Sequence, residues 1–185
     1  MPNSPSRNAG KTEIRQVMLA PAWIKRRIHM LKLAAGILLL LVVGMFSTYW
    51  FACPCGYVPG GPLSGPTNTS EVSDWSFVND REAVPLCQVE VDAGLPYTVN
   101  VNCMSSEEKL YVSCSKCEGK FWSSRAIENP VGYVMAGGKV YAINFSRITD
   151  EAELSRIWSV RANKVAGGDA GVRPNHWWSF QLTSR

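Results

Sequence analysis

Apolar and polar positions divide the chain into three stretches. Residues 1–22 are polar and weakly patterned, and a basic segment leads from them to Lys32. Residues 33–51, LAAGILLLLVVGMFSTYWF, run for 19 positions without a charge. At about 1.5 Å rise per residue that helix is about 29 Å long, close to the ~30 Å hydrocarbon core of a bilayer. Beyond a stretch rich in Gly, Pro, Ser and Thr, residues 74–185 carry short runs that alternate between a strand period and a helix period.

Within that last stretch, residues 85–91 (PLCQVEV) and 97–103 (YTVNVNC) alternate with period two around a turn-like 92–96, which predicts a hairpin. Val91 and Tyr97 are natural partners at its mouth. Counting back brings Cys87 opposite residues 101–103, so Cys87 and Cys103 are expected on adjacent strands. Residues 110–115 (LYVSCS) read as a third strand. Residues 120–129 (KFWSSRAIEN) read as a short helix, stopped by Pro130. Gly137-Gly138 marks a tight hairpin between 131–136 and 139–147. Asp150 and Glu153 form an N-cap and N3 pair. The helix they open puts Leu154, Ile157, Trp158, Ala162 and Val165 on one face, and Gly167-Gly168 ends it. A last strand covers 176–183. The order β-β-β-α-β-β-α-β predicts an α+β domain, a small antiparallel barrel carrying two helices, behind a single N-terminal transmembrane helix.

Charge adds orientation. The chain carries +4 overall, but residues 1–32 hold seven bases against Glu13 alone, while residues 74–185 hold 12 bases and 13 acids. A nucleic-acid surface needs cations on the folded part, so that class is excluded. Lys25, Arg26, Arg27 and Lys32 precede the apolar run, and no base follows it until Arg81. The positive-inside bias therefore places the N-terminus in the cytoplasm and the C-terminal domain outside, with Tyr49, Trp50 and Phe51 as an interfacial aromatic belt. The long leader and apolar run argue for a retained anchor over a cleaved signal peptide. Trp50 and Phe51 fit a lipoprotein signal before Cys53 poorly. The expected organisation is a basic tail (1–32), a transmembrane helix (33–52), a linker (53–73) and the domain (74–185).

Six cysteines, Cys53, Cys55, Cys87, Cys103, Cys114 and Cys117, suit an oxidising compartment. They allow 15 connectivities if all pair, or several can serve as small buried apolar residues. Cys114-Ser-Lys-Cys117 lies at a strand end without the βαβ context of a thioredoxin motif, so it reads as a structural disulfide or knuckle, with a thiol–disulfide activity as the alternative. Zinc at that pair would need His176 with Cys87 or Cys103 as further ligands, so no metal site is assigned. Cys53-Pro-Cys55 at the membrane exit suits inter-chain disulfides, acylation or a plain linker. There is no Gly-x-Ser-x-Gly elbow, P-loop or Rossmann glycine pattern.

A family resemblance appears at residues 122–130, WSSRAIENP. Together with the preceding LYVSCS, the following VGYVMAGGKVYAINFSRITDEAEL and the terminal WWSFQLTSR, it resembles the FMN-binding split-barrel superfamily. That group includes pyridoxamine-phosphate-oxidase-like proteins and the deazaflavin F420-dependent nitroreductase-like proteins. The resemblance covers about residues 74–185. It implies a split barrel, a homodimer with the cofactor site between protomers, FMN or F420 as cofactor, and oxidoreductase activity on a small molecule the sequence does not name. A phosphate-bearing cofactor needs converging cations and donors, which Lys120 and Arg125 at the helix start and Ser113 on the preceding strand supply. Trp122 would border the ring system. No catalytic residue is assigned. The other reading makes Lys120 and Arg125 solvated helix charges and Trp122 core, in a membrane-tethered binding or scaffold module with no cofactor.

Overall fold

The computed structural model describes residues 22–51, 60–165, 168 and 171–185. The basic tail up to residue 21, Cys53, Cys55 and Gly167 lie outside them. The chain separates into two compact units, Met1–Phe46 and Ser47–Arg185.

Helix α1 (Ala22–Phe51) is long and apolar enough over Arg26–Phe51 to cross a membrane, with a mean hydropathy of 2.2 and none of its apolar window buried against protein. Leu, Ile, Met and Ala dominate it and no proline interrupts it, so propensity and hydropathy agree.

The second unit contains strands β1 (Thr67–Asn68), β2 (Cys87–Asp92), β3 (Pro96–Ser106), β4 (Lys109–Ser115), β5 (Val131–Ala136), β6 (Lys139–Arg147) and β7 (Trp177–Ser184). Helix α2 (Phe121–Glu128) joins β4 to β5, and α3 (Glu151–Val165) joins β6 to β7. Six strands close into an antiparallel barrel, β2-β3-β4-β7-β6-β5, sealed by the pairing of β5 with β2. Closure removes the free edges that a sheet of this size would otherwise expose. The expected α+β barrel with two helices is therefore what the chain forms.

Local sequence explains the elements. Val91 pairs with Tyr97 at the mouth of the first hairpin, as the alternation requires, and Cys87 sits opposite Val101. Cys103, two residues beyond Val101 on β3, is joined diagonally to Cys87 by a disulfide with Cα atoms 5.7 Å apart. Gly137 and Gly138 take φ of +55° and +75° in the β5–β6 turn, the left-handed pair a two-residue hairpin demands. Asp150 Oδ1 accepts the Glu153 N–H at 2.8 Å and caps α3.

Period-two alternation sorts the side chains. Val89, Val91, Val101, Val112, Val134, Ile143, Phe180 and Leu182 fill the barrel interior. Met104, Tyr111 and Trp177 point the other way and pack against Leu154 and Ile157 of α3. The expected α3 face is buried at Leu154, Ile157 and Ala162, and it also buries Lys164, whose Nζ donates to the Cys103 carbonyl at 2.8 Å.

The expected linker is shorter than its composition implies. Gly60 bridges Thr98, Thr98 Oγ1 donates to the Gly61 carbonyl at 2.5 Å, and β1 pairs in parallel with β6. Proline and glycine cannot supply a core, but their backbone groups can still dock on an existing sheet, which composition does not reveal.

Candidate functional site

Helix α2 follows the Cys114–Cys117 disulfide, whose Cα atoms lie 5.5 Å apart. Lys116 between the two cysteines adopts left-handed φ of +52°, and Ser123 Oγ donates to the Cys117 carbonyl at 2.5 Å. The loop thus fixes where α2 begins, and with it the helix phase. Trp122, Ser123 and Ala126 turn inward; Phe121 and Arg125 turn outward, one helical turn apart.

This phase decides the fate of the four sequence-designated residues. Trp122 is 4% exposed and packs on Phe180 with ring centroids 5.4 Å apart, inside the barrel core. Ser113 alternates with the inward Val112 and Cys114, so it shares the outer face of β4 with Tyr111. The β4–β7 wall therefore separates Ser113 from Trp122. Ser113 is 2% exposed, and its hydroxyl has no hydrogen-bond partner among the described residues. Lys120 is exposed immediately before α2. Arg125 is ion-paired with Glu128 at 2.7 Å, and its guanidinium lies 5.1 Å from the centroid of the Phe121 ring. Lys120 is exposed just before the first turn of α2 and Arg125 stands one turn in, on the face that carries Phe121; Ser113 and Trp122 do not share that surface.

The exposed aromatic on that surface is Phe121. It is 46% exposed and meets Tyr97 edge-on at 4.8 Å, so an aromatic surface lies beside Arg125, directly after Lys120 in the chain. Sequence reasoning named Trp122 because the family resemblance begins at that residue. The signal that would have found Phe121 is the helical phase, since Trp122, Ser123 and Ala126 define the small inward face.

Fit to FMN or F420 divides along the same line. The original set of four does not fit one ligand, because a buried core ring and an enclosed hydroxyl on the opposite face cannot both touch it. The rim of Lys120, Phe121, Arg125 and Tyr97 has the donor chemistry for a phosphate and the surface for a flat ring. The CxxC pair has no accessible sulfur of this kind: Cys117 is 0% exposed and Cys114 is 7% exposed. Among the described residues no group of three or more His, Cys, Asp or Glu side chains is placed to hold a metal ion.

No protein-family model and no curated protein matches the chain. Its structure is similar to that of a candidate pyridoxamine 5'-phosphate oxidase from Listeria innocua, with 14% identity over 59% of this chain and 89% of that one, at a TM-score of 0.47. It is also similar to a FAD-binding protein from Mesorhizobium loti, with 18% identity over 54% and 80% of the two chains and a TM-score of 0.41. A NimC/NimA family protein from Clostridium acetobutylicum shows 13% identity over 55% and 75%, at 0.42. The barrel assignment itself rests on this chain's own strand pairing.

Proposed function

We propose that this chain is a membrane-anchored split-barrel protein that binds a phosphate-bearing, flavin-type ring on the α2 rim. The observation that carries the reading is the exposed Phe121 ring flanked by Arg125 and preceded by Lys120. Arg125 and Lys120 would hold the phosphate end, FMN or F420, and Phe121 with Tyr97 would face the ring. When bound, such a cofactor supplies hydride transfer, and the protein's part is to position it and screen it from water. The resemblance to FMN-binding split barrels supports this reading and also implies a homodimer. The anchor is α1, oriented with its basic flank in the cytoplasm and the barrel outside.

A second reading is a membrane-tethered binding or scaffold barrel with no cofactor, favoured by the burial of Ser113 and Trp122. A thiol–disulfide activity is disfavoured by the burial of Cys117, since thiolate chemistry needs access.

The full chain, purified in detergent and incubated with FMN or F420, is expected to retain a chromophore absorbing between about 370 and 450 nm. Colourless protein after incubation with either cofactor would favour the second reading. Protease accessibility in intact cells tests the orientation separately: residues 74–185 are expected to be cleaved from outside, and protection from an external protease contradicts it.

A further inference from the structure

A cleft adjoins the C-terminal end of α2, where the Asn129 N–H donates to the Arg125 carbonyl at 2.8 Å. It has a volume of about 340 Å³ and opens beside the β2–β3 turn, lined by Glu90, Asp92, Leu95, Asn129, Tyr133 and Arg185 among others. That volume lies at the lower end of the range for small-molecule sites.

Strand pairing builds it. Glu90 of β2 is the direct cross-strand partner of Tyr133 on β5. Tyr133 in turn faces Ala142 on β6, and the Arg185 N–H donates to the Ala142 carbonyl at 3.0 Å. Carboxylate and ring therefore stand on neighbouring strands about 4.8 Å apart, and Arg185 stands two strands beyond Tyr133, past Ala142. The Arg185 guanidinium lies 6.0 Å from the Tyr133 ring centroid, so it leans back toward that ring.

The two charges stay apart. Glu90 Oε2 accepts the Leu63 N–H at 2.6 Å, which fixes the carboxylate and leaves Oε1 without a protein donor among the described residues. Asp92 Oδ1 is held by the Gly94 N–H at 2.9 Å. Among the described residues Arg185 makes no ion pair with either acid. Burial, reinforced by the Asp92 charge and opposed by the Leu63 N–H, pushes the Glu90 carboxyl above the ordinary carboxylate range. An arriving cation would relieve that burden. Leu95, 55% exposed, adds an apolar wall.

We propose that this cleft binds a small zwitterion whose ammonium and carboxylate are separated by several bonds, such as an ω-amino acid or a short peptide. The ammonium faces Glu90 and Asp92, the carboxylate faces Arg185, and the connecting atoms lie on Tyr133. An α-amino acid carries its charges on neighbouring atoms and spans the cleft less well.

The test is calorimetric titration of the full chain in detergent with 5-aminopentanoate, diglycine and alanine. The first two are expected to bind saturably and alanine at least about tenfold more weakly. Preference between 5-aminopentanoate and diglycine distinguishes a free ω-amino acid from a peptide as the ligand. Glu90→Gln keeps an acceptor for Leu63 and is expected to weaken binding at least about tenfold. Arg185→Glu is expected to exchange zwitterion binding for binding of 1,5-diaminopentane, a gain that misfolding cannot mimic. No saturable binding of either zwitterion up to about 10 mM, or binding unchanged in both variants, overturns the proposal.

Discussion

At the scale of single residues, polar groups that the fold encloses are the sharpest points of the account. Lys164 is 7% exposed, and burial brings its amine down to about 8, partly offset by Asp80. In the unfolded chain a lysine titrates near 10.4, so between about pH 8 and pH 10.4 the unfolded state binds more protons. Stability must therefore rise with pH across that window. Urea midpoints measured at about pH 7.5 and pH 9.5 are expected to increase in the wild type and to stay level in Lys164→Met. No pattern in the sequence marks Lys164 as buried. It sits at the end of a mixed helix, where a lysine normally reaches water, and only the path of α3 over β3 brings its amine to the Cys103 carbonyl. Trp122 was read as bordering a cofactor ring, with core as the other reading, and its helical neighbour Phe121 was not legible as the exposed aromatic, because its exposure follows from the Cys114–Cys117 loop that sets the phase of α2.

At the scale of elements, local chemistry was read well wherever it is local. The Val91–Tyr97 register follows from alternation on either side of one turn, and Gly137-Gly138 specifies its hairpin through backbone freedom. The capping pair at α3 is equally local. Replacing Asp150 with Ala removes the acceptor for the Glu153 N–H and is expected to cost about 1 kcal/mol, read as a lower urea midpoint with an unchanged slope. What stayed illegible depends on distant partners. The parallel pairing of Thr67–Asn68 with Val140 and Tyr141, and the docking of Gly60 on Thr98, use backbone groups of a segment whose composition reads as tether.

At the scale of the molecule, barrel closure joins strands far apart in the chain, and alternation alone does not say that β2 will meet β5 or that β6 will meet β7. The Cys87–Cys103 disulfide staples β2 to β3 within this closed wall at a sequence separation of 16. By loop-closure entropy a staple of that span contributes about 3 kcal/mol. The Cys87→Ala, Cys103→Ala double variant is expected to lose about that much in denaturant unfolding, and a loss under about 1 kcal/mol would show that the bond constrains little. The central claim is that ligand phosphate and ring meet the α2 rim and not the residues enclosed on either side of the β4–β7 wall. Titrating FMN or F420 into detergent-purified full chain, with quenching of cofactor fluorescence as the signal, tests it directly. The Lys120→Ala, Arg125→Ala double variant is expected to weaken binding at least about tenfold, while Ser113→Ala leaves it unchanged. Undiminished binding by the double variant, with loss in Ser113→Ala, would contradict the account.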